Sequence, residues 1–228
     1  MWHMPSSRPS NRADRGTKRM SSNRVVRHKG IDRLYHWTMA AALLVCLFTA
    51  FLPILGVKFE WVTAHWIAGI VLTAVVLFHI VRAVVFQDVW AMVVGPRDLL
   101  NVWRSTRRAL GGGGLPPTRD AKYMLLQKIY HKVVAVLVLS IIASGVLMLS
   151  KIDTVFWRRN PYWLADDQWG IIYSVHGLAA MAMITLVMVH IYFAVRPDKW
   201  WMSRSMITGS ITRADYETHH DPQRWNVP

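Results

Sequence analysis

The chain has 228 residues, 53% hydrophobic and 18% charged, a length that suits either one large soluble domain or a small membrane bundle. Its single cysteine, Cys46, excludes a disulfide framework or a thiolate-bound cluster built within this chain, and is expected to pack as a small residue inside the first apolar run. The net charge of +14 is gathered in segments between apolar runs, which argues against nucleic acid as a partner and for the positive-inside pattern of a membrane protein.

Residues 1–29 form a basic tail. Its first 26 residues are rich in Arg, Ser, Asn and Pro with no apolar face, and are expected to be disordered. No hydrophobic core precedes Trp37, so the sequence predicts no cleaved signal peptide and an uncleaved first anchor. The domain that follows, residues 30–196, is predicted to cross the membrane four times, at about 37–57, 64–86, 129–150 and 170–195. The first span opens with Ile31-Asp32-Arg33-Leu34-Tyr35-His36-Trp37 and runs to a stop near Pro53. Trp37 reads as an interfacial anchor, and Arg33, one turn before His36, is placed to meet an anionic group beside whatever His36 binds.

The second span carries His65 and His79, with Gly69 one turn after His65, either to let a flat ring approach or to pack another helix. In the loop at 87–128, Leu99, Trp103, Thr106 and Leu110 recur at helical spacing, with Arg97, Arg104, Arg107 and Arg108 on other faces. This is the pattern of a helix lying on the membrane surface. Gly111 to Gly114 and Pro116-Pro117 then read as a flexible joint without the context of a phosphate loop. The interior of the third span, Val133 to Leu149, has no histidine and reads as a buttress, with His131 interfacial at its start. The loop at 151–169 holds Phe156, Trp157, Tyr162, Trp163 and Trp169, as a bilayer anchor or a docking surface.

The fourth span carries His176 and His190. Fourteen helical steps return to within about 40° of the start and climb about 21 Å, so both imidazoles lie on one stripe, one toward each membrane surface. His65 and His79 repeat that spacing on the second span. Nine Lys and Arg precede His36, eight lie from Arg82 to Lys128 and five follow from Arg196. The loop after the first span has only Lys58, which places both termini and the long loop in the cytoplasm.

Ionisable groups at this depth are normally functional. Zinc usually calls for several ligands converging at one depth, and the spans bury no Asp or Glu that would suit a proton relay. Two histidines clamping an iron from both faces of a porphyrin fit better, and two such pairs form by depth. His65 pairs with His176 at the outer level, and His190 pairs with either His36 or His79 at the inner level. With both axial positions filled, electron transfer is the expected work.

The chain resembles the cytochrome b (gamma) subunits of respiratory formate dehydrogenases, within the wider family of four-helix dihaem cytochromes b. The resemblance runs from about Arg27 to Trp225. It rests on Ile31-Asp32-Arg33 with His36-Trp37, on His65 with Gly69, on Gln127-Lys128, on His176, His190 and Tyr192, and on Met206-Ile207, Gly209, Ile211, Arg213, His219-His220 and Pro222. It implies an all-α, four-transmembrane-helix bundle in the bacterial inner membrane, both termini cytoplasmic, holding two b-type haems. It also favours His36 over His79 as the inner ligand.

The same resemblance implies a subunit that does not itself oxidise formate. Electrons would come from a molybdenum or tungsten catalytic (alpha) subunit through an iron-sulfur (beta) subunit and leave to a quinone near the cytoplasmic face. Gln127 and Tyr192 are the quinone candidates it implies, and His79 is added from its depth. Two departures are visible: apolar residues at Met124-Leu125-Leu126 in the quinone region, and Gly177 directly after His176 where the family's glycine comes later. A hydrogenase, thiosulfate reductase or other molybdoenzyme is the alternative donor, and a metal- or proton-transporting helical bundle is the more distant alternative.

Overall fold

The computed structural model describes residues 23–86, 92–111, 122–223 and 225. Four long helices dominate it: α1 (Gly30–Phe51), α2 (Trp61–Phe86), α4 (Leu125–Met148) and α5 (Asp166–Val195). Each is long and apolar enough to cross a membrane. A shorter helix, α3 (Pro96–Ala109), lies between α2 and α4 in the chain. After α5 come α6 (Trp200–Thr208) and α7 (Arg213–His219), and the strands β1 (Arg24–Val26) and β2 (Ser210–Thr212) bring the two ends of the described chain together.

Four of these helices begin by one device. The third residue of the first turn reaches back with a side-chain oxygen to the otherwise unpaired N–H of the residue before the helix. Asp32 accepts from Lys29 N–H at 3.1 Å, Asp98 from Gly95 at 2.9 Å, Gln127 from Met124 at 3.0 Å and Gln168 from Ala165 at 3.1 Å. At the far end of α5, Arg196 turns extended before Pro197, as a residue ahead of proline must.

α1 packs along α2, and α4 along α5. At mid-height the four helices bury Ala42, Leu72, Val76, Val138 and Met183 in one layer, with Met39, Leu43, Leu137 and Ile141 around it. Outside that layer the helices turn apolar side chains outward, among them Leu34, Phe48, Leu77, Val136, Leu178 and Met188. That distribution suits lipid rather than water as the solvent of the bundle's flank.

α3 shows the same inversion. Its polar Asp98 and Asn101 are buried, Asp98 against the Lys128 ammonium at 2.8 Å, while Leu99, Trp103 and Leu110 are exposed. The apolar stripe expected at the membrane surface therefore faces away from the bundle, and a polar face holds the helix in place.

The tail contains order that its local composition does not show. Residues 24–26 were expected within a disordered segment and instead form β1, antiparallel to β2 with Val25 opposite Ile211. Val25, Ile211 and Tyr216 make a small second core where the two ends of the described chain meet, flanked by Trp201 and Trp225. The strand depends on a partner nearly two hundred residues away, which no local window reports. The remainder of the tail, residues 1–22, lies outside the described residues, as does most of the glycine-rich joint. The first helix runs from Gly30 to Phe51, and the Asp32 cap sets its start.

Candidate functional site

A metal held between two imidazoles lies about 2 Å from each ligating nitrogen, and each nitrogen sits about 1.1 Å from its ring centroid. Such a clamp therefore spaces the centroids by about 6 Å. The His65 and His176 rings are 6.3 Å apart between centroids, and the His36 and His190 rings 6.4 Å apart. The first pair joins α2 to α5 and the second joins α1 to α5. The buried layer of Leu72, Val76 and Met183 lies between the two levels, since Met183 is seven residues from each α5 histidine.

The structure brings His190 to His36 rather than to His79. His190 also stacks on Tyr130 at 5.8 Å, while Tyr130 donates to Leu186 O at 3.0 Å. His79 instead faces Tyr35 at 4.8 Å and His131 at 6.1 Å. His131, expected to be only interfacial, thus joins a third histidine pair. Beside it, one turn along each helix, Arg82 of α2 pairs with Asp32 of α1. The Nδ1 of His79 is buried with no hydrogen-bond partner among the described residues.

The outer pair is held by two hydroxyls. Thr49 Oγ1 of α1 lies 2.9 Å from His65 Nδ1, and Ser144 Oγ of α4 lies 2.9 Å from His176 Nδ1. Next to Ser144, Gly145 gives His176 its space: a Cβ there would stand 3.2 Å from His176 Cε1. Gly69, by contrast, would place a Cβ with nothing within 4 Å, so it is not a close helix-packing contact, and the same holds for Gly177.

The other candidates have defined surroundings. Gln127 is engaged at both ends, its oxygen at the Met124 cap and its Nε2 3.1 Å from Met202 Sδ. Tyr192 is exposed on α5, its ring 5.3 Å from Phe193 and under the Arg196 guanidinium at 6.0 Å. Arg33 donates through Nη1 to Ile207 O, and its Nε is buried without a partner among the described residues. Trp37 donates to Met206 O at 3.1 Å. These two bonds fasten α6 beside His36.

Paired imidazoles at the spacing of a two-sided clamp, with hydroxyls on the rear nitrogens of one pair, fit haem iron in both donor type and geometry. No local motif in the sequence marks Thr49, Ser144 or Gly145. Thr49 lies 16 residues before His65 and Ser144 lies 32 before His176, on other helices, so only packing brings them together. The one signal in the sequence is that each is a small polar residue inside an apolar run.

The chain is also similar in sequence to known proteins. Residues 27–209 match the family described as prokaryotic cytochrome b561. The cytochrome b556(Fdn) subunit of the nitrate-inducible formate dehydrogenase of Escherichia coli (strain K12) is 25% identical over 229 residues, covering 90% of this chain and 91% of its own length. The formate dehydrogenase cytochrome b556 subunit of Haemophilus influenzae is 21% identical over 222 residues, covering 90% of this chain and 83% of its own.

Proposed function

The chain belongs to the prokaryotic cytochrome b561 family, and we propose that it is the membrane-anchoring dihaem cytochrome b subunit of a respiratory formate dehydrogenase. The observation that carries the proposal is the placing of two histidine clamps, 6.3 and 6.4 Å between centroids, at two levels of one helix. In this reading His65 and His176 hold the outer haem b, and His36 and His190 the inner one. Each haem would supply a one-electron redox centre held between two imidazoles, His65 with His176 and His36 with His190, which suits electron transfer and not substrate activation.

The rest of the chain serves these two sites. The apolar flanks hold the bundle in the bacterial inner membrane, and the Leu72–Met183 layer keeps water from the space between the two levels. The Lys and Arg excess puts both termini and the loop holding α3 in the cytoplasm. The opposite loop, with Phe156, Tyr162 and Trp163 exposed, then faces the outside. There an iron-sulfur subunit, itself fed by a molybdenum or tungsten subunit, delivers electrons. Formate chemistry belongs to those partners and not to this chain.

Quinone is the acceptor at the inner end, taking two electrons and two protons on the cytoplasmic side. Among the candidates, His79 supplies a buried ring nitrogen, Nδ1, with no hydrogen-bond partner among the described residues, suited to a quinone oxygen. Gln127 lines the same face of α4 as His131, one turn away, and Tyr192 flanks the inner end of α5. The test is a substitution series in the intact complex. Replacing His36, His65, His176 or His190 with Ala is expected to halve the haem per chain, while His79→Ala keeps both haems and slows quinone reduction by about tenfold or more. Retention of both haems in His65→Ala and His176→Ala would overturn the assignment.

A further inference from the structure

We infer that Thr49 and Ser144 fix the tautomer of the outer histidine pair and thereby hold the outer centre at a lower reduction potential than the inner one. The inference rests on the reading of His65 with His176, and His36 with His190, as haem ligands.

A hydroxyl has one proton to give and can accept in return. Thr49 Oγ1 lies 2.7 Å from Val45 O and 3.0 Å from Cys46 O. Oxygens that close need a proton between them, and a carbonyl has none, so the Thr49 proton points at its own helix. Towards His65 Nδ1, 2.9 Å away, Oγ1 then acts only as an acceptor. The Nδ1 atom carries the ring's proton, and Nε2 is left with its lone pair free for a metal.

Ser144 repeats this on another helix. Its Oγ is 2.6 Å from Ser140 O and 3.2 Å from Ile141 O, so its proton also goes to the backbone. His176 Nδ1, at 2.9 Å, must be the donor, and its Nε2 is bare as well. The two hydroxyls come from α1 and α4, the two helices that carry no outer ligand. Each hydroxyl spends its proton on a carbonyl, which makes its oxygen a better acceptor from the ring.

Neither His36 nor His190 has a ring hydrogen-bond partner among the described residues. Among the described residues, the inner imidazoles have no counterpart of the Thr49 and Ser144 hydroxyls. An acceptor on Nδ1–H draws the proton outward, raises the electron density of the ring and strengthens Nε2 as a donor, which favours the oxidised metal. The outer centre becomes the more reducing of the two. Electrons entering from outside then run toward the inner pair, the direction that quinone reduction at the cytoplasmic side requires.

An equilibrium redox titration of the intact complex, followed in the visible α-band, tests this. Thr49→Val keeps the shape and removes the hydroxyl, Ser144→Ala removes the other, and Thr49→Ser restores one. The wild type is expected to titrate as two components. Each single variant is expected to raise the lower potential, the double variant to raise it further, and Thr49→Ser to return it to the wild-type value, with the higher potential unmoved throughout. Two haems whose potentials ignore both single substitutions, or a shift confined to the higher component, would overturn the inference and leave the ligand assignment standing. A wild-type complex without two haems would overturn both.

Discussion

Lys128 shows how little a single residue's type says without its surroundings. It lies four residues into α4, is 4% exposed, and its ammonium is bracketed by Asp98 Oδ2 at 2.8 Å and Val93 O at 3.0 Å. Removing one partner of a buried pair leaves the other charge uncompensated, at a cost of about 3–5 kcal/mol. Lys128→Met is accordingly expected to lower the melting temperature of the solubilised protein, and adding Asp98→Asn is expected to recover part of that loss. A double variant less stable than the single one would refute the pairing. His28, in the terminal cap, is pushed down to about 4 by burial and then by the neighbouring Arg27 and Lys122 charges, against an ordinary value near 6.5. Between those values the unfolded chain binds a proton that the folded one does not, so stability rises with pH there and is lost as pH falls from about 6.5 to about 4. His28→Gln is expected to flatten that slope in thermal melts from pH 7 to pH 4, and an unchanged slope would remove His28 as its source. The four ligand candidates were legible as residues because histidine is rare in apolar runs. Their hydroxyl partners were not, because threonine and serine in a membrane helix look unremarkable until a second helix is packed against them.

At the scale of elements, the cap on the terminal end is a latch of small pieces. Arg27 sits over Trp225 at 5.5 Å and Trp201 at 5.8 Å, and its Nη1 is 2.9 Å from His220 Nε2. Burial lowers this guanidinium to about 10, and the aromatic faces, His220 Nε2 and the Lys122 carbonyl, which accepts from Nη2 at 3.1 Å, hold it. Gly209 closes the latch with φ +83°, its carbonyl accepting from Arg27 N–H at 2.9 Å and His28 N–H at 3.0 Å. A Cβ there would meet His28 O at 3.0 Å and Arg33 Cζ at 3.4 Å. Gly209→Ala is expected to cost about 1–3 kcal/mol, open the cap to trypsin at Arg204 and Arg213, and loosen the hold of α6 on α1 through Arg33 and Trp37 beside His36. Unchanged cleavage would show that the cap does not depend on this turn. The sequence displayed the pieces, Gly209 and the His219-His220 pair among them, only as motif residues. Their joining to Arg27 needs contacts across most of the chain length.

For the whole molecule, the apolar runs made the four long helices legible, because lipid imposes length and hydrophobicity that few other constraints mimic. Their exact ends were less so, since caps such as Asp32 and Gln127 are polar residues outside the apolar window. The proposed orientation rests on the charge asymmetry: topology reporters fused near residue 160 are expected to read outside, and those at either terminus inside. The reverse pattern would reverse the proposed route of electrons. The central claim is that one chain of this length holds two haems b between paired histidines. Its most direct test is a pyridine haemochrome assay on the purified complex, set against quantified polypeptide. About two b haems per copy of this chain is the predicted result, and a well-folded preparation with none would contradict the account.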